Sequence, residues 1–314
     1  MKRTLASLVI GLSLLVGTAS AWAQDYDKGW RAYTKGDFTT ALNEWRPLAE
    51  KGDASAQHGL SVLYENGQGV AQDYNEAVKW SRLAAEQGRA EAQYNLALMY
   101  ENGQGVAQDY NEAVKWSRLA AEQDFASAQH NLGVMYFSGR GVAQDYNEAV
   151  KWWRLAAERG LLSSQYNLAQ RYWKGQGVAQ DYNEAVKWWR LAAEQGYSPA
   201  SAQYKVSAQY NLGVMYFNGK GVTQDYNEAV KWWRLAAEQG HASAQYNLGV
   251  MYFHGYGVIQ DDVMAHMWFN IAASNGNANA AKNKDIKAKR MTAADISKAQ
   301  QLARECVAKN YKGC

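Results

Sequence analysis

Apolar residues recur along this chain at the spacing of amphipathic helices, in a unit that repeats. Ala128, Leu132, Met135 and Tyr136 fall at i, i+4, i+7 and i+8, the spacing of one stripe on a helix. A glycine-containing turn follows, and then a second apolar stripe on a run that ends in Ala-Ala-Glu. The pattern predicts two helices joined by a turn, a hairpin of about 36 residues.

The start of the second helix shows how regular the repeat is. The run Asp-Tyr-Asn-Glu-Ala-Val-Lys-Trp begins at Asp73, Asp109, Asp145 and Asp181, 36 residues apart, with a fifth copy at Asp225 and a divergent sixth at Asp261. This period predicts a stacked array, because one hairpin cannot bury its apolar face alone. Eight extra residues precede Tyr210. They predict about two more helical turns starting near Ala200, or a projecting loop that either marks binding or is merely tolerated.

Capping residues and tryptophans define the predicted packing of each hairpin. Asp145 and Glu148 have the spacing of a capping box at the start of the second helix, and Gly139 is the expected left-handed C-cap of the first. On the second helix, Trp153 lies near the centre of the apolar face and Trp152 beside it. We therefore expect the doubled tryptophans to pack in the core. Ser81 and Ser117 hold the Trp153 position in two early copies.

The N-terminus has the pattern of a secretory signal peptide. Met1, Lys2 and Arg3 precede an apolar run too short to span a membrane, and small residues surround a predicted cleavage site after Ala23. We expect a periplasmic or secreted protein without a membrane span. Cys306 and Cys314 are the only cysteines, and in an oxidising compartment they predict one disulfide near the C-terminus.

The formal charge is +3, or about +1 without Lys2 and Arg3. Residues 277–314 carry nine Lys/Arg against three Asp/Glu. These charges follow a helical pattern rather than forming one cluster, so we expect a solvated face and no nucleic-acid partner.

The repeated motif resembles the Sel1-like repeat, a relative of the tetratricopeptide repeat. The matching residues are Ala-x-x-x-Leu-Gly-x-x-Tyr, Gly-x-Gly-Val, Asp-x-x-x-Ala-x-x-Trp and Ala-Ala-Glu-x-Gly within 128–160. The resemblance implies an all-α, right-handed α-solenoid with first helices inside, second helices outside and a C-terminal helical cap. It also implies an adaptor or binding role, in the bacterial envelope or in host-cell contact.

The repeat divides the chain into a signal peptide, a degenerate hairpin, six repeats and a cap. The expected ranges are 1–23, 24–53, 54–88, 89–124, 125–160, 161–196, 197–240, 241–276 and 277–314. Because both ends are capped, end-to-end stacking is disfavoured and we expect a monomer.

Motifs that would indicate chemistry are explained by the fold. Each Gly-x-Gly follows a predicted helix rather than a strand, so turn chemistry accounts for it better than nucleotide binding. The sequence has no Ser-x-x-Lys, Gly-x-Ser-x-Gly or His-Glu-x-x-His motif. His241, His254 and His266 fall on a loop, a turn and a helix, without metal-ligand spacing. We expect no catalytic group, metal or cofactor.

Variation between the first helices indicates where a partner would bind. The last position of the stripe opposite Leu132 is Glu65 and Glu101 in two early copies and aromatic from the third copy onward. Two interpretations remain open: a protein or peptide binds to these aromatic residues on the inner face, or the rings pack between adjacent hairpins. The candidate residues are Phe137, Trp173, Phe217, Phe253, Tyr166, Tyr210 and Tyr246.

A non-enzymatic interaction scaffold is the function that these patterns favour. A branch of the Sel1-like family, which this chain resembles, has been described as penicillin-binding or weakly β-lactam-hydrolysing. An enzyme of that kind is the alternative to a scaffold. That branch has paired cysteines in each repeat, which this chain lacks.

Overall fold

The computed structural model of the chain describes residues 26–196 and 199–314. The predicted signal peptide and its cleavage site after Ala23 lie outside the described residues. Within these ranges, no helix has the length and apolar character needed to cross a membrane.

The regular structure of the described residues is helical throughout, which confirms the all-α solenoid of consecutive hairpins. Helix α1 covers residues 26–34. The others are α2 (Phe38–Glu50), α3 (Ala54–Asn66), α4 (Tyr74–Glu86), α5 (Ala90–Asn102), α6 (Tyr110–Glu122), α7 (Ala126–Ser138), α8 (Tyr146–Glu158), α9 (Leu162–Lys174), α10 (Tyr182–Glu194), α11 (Ala202–Asn218), α12 (Tyr226–Ala237), α13 (Ala242–His254), α14 (Asp262–Ser274), α15 (Ala278–Ala288) and α16 (Ala293–Ala308). Odd-numbered helices from α1 to α13 are the first helices of hairpins, and even-numbered helices from α2 to α14 are the second.

The chain divides into two compact units, and the boundary lies between Trp152 and Trp153 in α8. The core of each unit consists of the alanines, tryptophans and leucines that the helical pattern placed on the inner faces. In the first unit Trp45 and Leu60 are fully buried, and in the second Trp188 and Trp189 are buried together. The expectation that doubled tryptophans belong to the core is confirmed.

The N-cap of the second helix forms as expected, but the capping box does not. Asp145 accepts hydrogen bonds from the backbone N–H groups of Asn147 and Glu148, at 2.8 and 3.1 Å. The backbone N–H of Asp145 itself donates to the carbonyl of Tyr136, at 2.9 Å. Glu148 is therefore not needed at the cap, and its carboxylate accepts a hydrogen bond from Lys151 at 3.1 Å instead. The prediction of a reciprocal capping box is wrong for this reason.

The eight extra residues before Tyr210 add helical structure, the first of the two predicted outcomes. They form a 3₁₀ turn, Pro199–Ser201, and lengthen α11 to 17 residues, against 13 in α9 and α13. The 3₁₀ turn leads directly into α11 at Ala202, which confirms a helical start near Ala200 and about two added turns, one 3₁₀ and one α. The side chain of Lys205 donates to the carbonyl of Gln195 at the end of α10. This contact holds the added turn against the preceding helix.

The C-terminal region is helical, in agreement with the C-terminal cap that the resemblance implies. Thr292 caps α16 by accepting a hydrogen bond from the N–H of Asp295 at 3.1 Å. Cys306 and Cys314 are paired, with Cα atoms 5.7 Å apart, a separation that a disulfide requires.

Candidate functional site

Six of the seven candidate binding residues lie on three successive first helices of the second unit. Each helix carries a tyrosine and, seven residues later near its end, a second aromatic residue. The pairs are Tyr166 and Trp173 on α9, Tyr210 and Phe217 on α11, and Tyr246 and Phe253 on α13. Trp173 is 40% exposed, and the other five are half-buried.

The three tyrosines contact the next hairpin. The ring of Tyr210 stacks on His241 with centroids 4.6 Å apart, and the Tyr166 ring lies 5.6 Å from that of Tyr204. The hydroxyl of Tyr246 accepts a hydrogen bond from the Asn283 side chain at 3.0 Å. These rings therefore join neighbouring first helices, and only their remaining surface faces solvent.

Phe217 lies at the edge of a cleft between α11 and α13. Its ring centroid is 5.6 Å from that of Trp233 and 5.4 Å from that of Tyr226. The cleft has a volume of about 290 Å³ and is lined by Val214, Phe217, Asn218, Trp233, Tyr246, Asn247, Val250 and Met251. Two predicted residues, Phe217 and Tyr246, thus meet at one concave surface, with two amide side chains beside them.

Sequence reasoning missed the contribution of Trp233 and the two asparagines to this cleft. Trp233 was assigned to the core, and it is buried, but one part of it also forms the wall of the cleft. Its indole N–H donates to the backbone carbonyl of Tyr210 at 3.1 Å, which fixes the ring orientation. The signal that could have identified Asn247 is its position directly after Tyr246, on the same helix as Val250.

Cations lie beside the other two large rings. The Lys174 ammonium is 6.0 Å from the centroid of the Trp173 ring, and that ring lies 6.4 Å from Trp189. The Lys287 ammonium lies over Phe253, whose ring also meets the edge of His254 at 4.7 Å. The surface formed by these residues is both aromatic and positively charged.

Phe137, the seventh candidate, belongs to the first unit. Its ring lies 5.3 Å from that of Tyr146 and is half-buried. In the same unit its equivalents are carboxylates. Glu101 forms an ion pair with Arg140 at 3.3 Å, and burial raises the pKa of Glu65. The first helices of this unit therefore present a different chemistry from those of the second.

A second cleft forms where the extra residues of α11 face the C-terminal end. It has a volume of about 760 Å³, and Val206, His241 and Tyr311 are among its lining residues. The Tyr311 hydroxyl donates to the side-chain carbonyl of Asn275 at 3.2 Å. The insertion thus borders a surface depression.

Two of the three histidines considered as metal ligands, His241 and His266, have structural roles. His241 caps α13, where its Nδ1 accepts a hydrogen bond from the N–H of Ala244 at 3.2 Å. His266 is buried in α14, and burial lowers its pKa. Residues 26–196 and 199–314 contain no cluster of three His, Cys, Asp or Glu side chains able to hold a metal ion.

Stacked hairpins with alanine- and tryptophan-rich second helices and variable first helices define a helical repeat scaffold. The Sel1 repeat model matches residues 54–88, 90–125, 126–161, 162–197, 206–241 and 242–277. The chain belongs to the Sel1 repeat family.

Solved structures give the same result. A Sel1 repeat protein from Oxalobacter formigenes is 31% identical, with a TM-score of 0.65 over 79% of this chain and 96% of that one. A protective antigen present in uropathogenic Escherichia coli strains, which displays an SLR fold, is 27% identical, with a TM-score of 0.50 over 94% of this chain and 86% of that one. The search of the curated proteins found no match to this chain.

Proposed function

We propose that this protein is a non-enzymatic scaffold that binds a protein or peptide through the first helices of its second unit. The observation that carries the proposal is the cleft between α11 and α13, where Phe217 and Tyr246 meet. Its volume, about 290 Å³, is at the lower limit of small-molecule pockets. It suits one large apolar side chain of a partner better than a complete small ligand.

The lining of the cleft supports recognition of a polypeptide. Phe217, Val214 and Val250 supply apolar contact area, and Asn218 and Asn247 place amide groups at the same surface. Amide side chains can both donate to and accept from a peptide backbone. Trp173 and Phe253 extend the aromatic surface on the neighbouring first helices, and Phe137 offers a similar ring in the first unit.

Export forms part of the proposal and rests on separate observations. Residues 1–23 have the signal-peptide pattern, and Cys306 and Cys314 lie within disulfide distance, as expected in an oxidising compartment. The similar Escherichia coli protein is a protective antigen, which is consistent with a place in the envelope or at the cell exterior. We therefore place this protein in the periplasm or outside the cell.

Affinity capture with matched variants tests the binding proposal. The tagged parent protein and two tagged variants, Phe217→Ser and Leu235→Ser, are each used to capture partners from envelope and host-cell extracts. Leu235 is an exposed leucine on α12, so its replacement controls for a lost apolar side chain. We expect Phe217→Ser to lose the captured partner and Leu235→Ser to retain it.

A third variant separates binding from folding. Asn218→Trp adds a bulky ring at the exposed rim of the cleft without removing a core contact. If Phe217→Ser melts at a much lower temperature and Asn218→Trp still captures the partner, the cleft is structural and the proposal is wrong. Steady turnover of a chromogenic β-lactam by the purified protein would contradict the non-enzymatic assignment.

A further inference from the structure

The lysines of the repeated second helices are neutralised locally. Lys187 and Glu184 form an ion pair at 3.0 Å, and Lys231 and Glu228 form one at 2.9 Å. The same spacing of three residues produces equivalent pairs in the first unit, at Lys79, Lys115 and Lys151. These cations are therefore part of the repeat itself and offer little net charge to a partner.

Three other lysines in the second unit have aromatic neighbours instead of carboxylates. Lys174, Lys220 and Lys287 lie over the rings of Trp173, Tyr182 and Phe253, respectively. Within the described part of the chain, no Asp or Glu oxygen is recorded within 4.0 Å of their ammonium groups. Lys174 and Lys220 are exposed, and Lys287 is half-buried.

Lys174 and Lys287 belong to a wider excess of positive charge on four helices of the second unit. Helices α9, α11, α13 and α15 carry one acid, Asp285, and six Lys/Arg: Arg171, Lys174, Lys205, Lys282, Lys284 and Lys287. In the first unit, α3, α5 and α7 carry three acids, Glu65, Glu91 and Glu101, and no Lys or Arg. The layer formed by α9, α11, α13 and α15 therefore has an excess of positive charge that α3, α5 and α7 lack.

We propose that the partner bound by this layer is an acidic polypeptide segment in which Asp or Glu residues flank an apolar anchor. The inference rests on the proposed function and specifies its partner class. The anchor occupies the cleft beside Phe217, and carboxylates pair with Lys174, Lys220 and Lys287. Because none of these three cations forms an ion pair of 4.0 Å or less with a described residue, binding breaks no such pair, and the partner supplies counter-charge.

A polyanionic polysaccharide is the competing occupant, and the cleft argues against it. Sulfate or uronate groups would pair with the lysines but would leave the apolar cleft of Val214, Phe217 and Val250 unused. An acidic peptide with a leucine or aromatic side chain uses both features at once. The two occupants therefore differ in their dependence on the cleft.

Selection from a random dodecapeptide display library on the immobilised protein tests the proposal. We expect the enriched sequences to be rich in Asp and Glu around an aromatic or leucine residue. A fluorescently labelled copy of the most enriched peptide should bind about tenfold more weakly to the triple variant Lys174→Gln/Lys220→Gln/Lys287→Gln. Its affinity should also fall as salt is raised from 0.05 to 0.3 M, because exposed charges are screened.

Matched controls decide what the result means. The triple variant Lys151→Gln/Lys187→Gln/Lys231→Gln removes the same charge from second helices and should bind the peptide normally. Enrichment of neutral or basic peptides that still require Phe217 would overturn the acidic partner but leave the proposed function standing. Peptides that bind Phe217→Ser and Asn218→Trp as tightly as the parent would overturn both. Binding of dextran sulfate unaffected by these two substitutions, without enrichment of acidic peptides, would indicate a polysaccharide partner and overturn the proposal.

Discussion

The side-chain hydroxyl groups of Ser61 and Ser81 lie 2.6 Å apart in the buried contact between α3 and α4. The equivalent contact between α11 and α12 pairs Gly213 with Trp233, where a Cβ on the glycine would lie 2.4 Å from the indole nitrogen. Gly249 and Phe269 make the same kind of pair between α13 and α14. A Cβ on Gly213 or Gly249 would clash with the ring opposite it, and a small polar pair replaces glycine and ring at Ser61 and Ser81.

Replacing Ser81 with alanine should destabilise the protein, whereas replacing Ser117 should not. Helices α4 and α6 have identical sequences, but the buried hydroxyl of Ser117 has no hydrogen-bond partner. Ser81→Ala leaves Ser61 unpaired in the core, at a cost of about 1–3 kcal/mol. Ser117→Ala removes an unsatisfied group and should change the free energy of unfolding by less than about 0.5 kcal/mol or increase it. Urea unfolding of both variants provides the comparison, and equal losses would contradict it.

The helical hairpins could be predicted because their signals are local. Asp145 and Thr292 cap their helices as their positions in sequence indicate, since an N-cap needs only the next three residues. The actual partner of Glu148 could not be predicted in this way. It depends on Tyr136, nine residues before Asp145 and on another helix, whose carbonyl accepts the backbone N–H of Asp145 that the glutamate would have capped.

Two turn glycines, Gly105 after a first helix and Gly88 after a second helix, should differ in how well they tolerate alanine. Gly105 has φ of 68°, and a Cβ there would lie 2.2 Å from the carbonyl oxygen of Tyr74 on the preceding hairpin. Gly88 has φ of 88° and no atom within 4 Å of its Cβ position. Both alanine variants pay about 1–2 kcal/mol for the left-handed backbone, but only Gly105→Ala also forces two hairpins apart.

We therefore expect Gly105→Ala to cost more than about 3 kcal/mol and Gly88→Ala about 1–2 kcal/mol. Calorimetric melting of the two variants measures the difference. The Gly-x-Gly motif was interpreted from sequence as turn chemistry alone. If both variants melt at the same temperature, turn chemistry alone explains the motif, and the close approach of Gly105 to Tyr74 does not contribute to stability.

Replacing Asp124 with glycine should stabilise the first unit. Asp124 has φ of 65°, a left-handed conformation that the equivalent Gly52 and Gly88 adopt without strain from a Cβ. Its carboxylate is 3.5 Å from Gln129 Nε2, at the long limit of a hydrogen bond. We expect Asp124→Gly to raise the free energy of unfolding by about 0.5–1 kcal/mol. Asp124→Ala keeps the backbone strain and is the control: a matching gain there would assign the effect to the lost carboxylate.

The candidate site was harder to predict from sequence than the fold, because its character depends on contacts between repeats. A helical wheel indicates that Tyr210 and Phe217 lie away from the Leu212 stripe, but it cannot show what lies opposite them. The structure places His241 against Tyr210 and Trp233 against Phe217. The first contact joins two hairpins and the second helps to form a cleft, although both rings appear equivalent in the sequence pattern.

Protonation of two buried histidines should make the protein sensitive to acid. His58 and His130 occupy the position held by tyrosine in the other repeats, and burial lowers the pKa of each to about 4. Between the ordinary pKa of about 6.5 and pH 4, the unfolded chain binds protons that the folded chain does not. Stability is therefore greatest above pH 6.5 and falls as the pH is lowered towards 4.

Replacing these histidines with the tyrosine of the other repeats should remove this pH dependence. The double variant His58→Tyr/His130→Tyr should lose less stability than the parent when the pH is lowered from 7 to 4.5. The difference should be roughly 1–2.5 kcal/mol for each histidine replaced. Asn95 lies 3.3 Å from His58 Nε2, and a tyrosine hydroxyl can accept the same hydrogen bond, as Tyr246 does from Asn283. Urea unfolding at several pH values measures the effect, and each single variant should show about half of it. Parallel pH profiles for the parent and the double variant would mean that both histidines titrate normally in the folded protein.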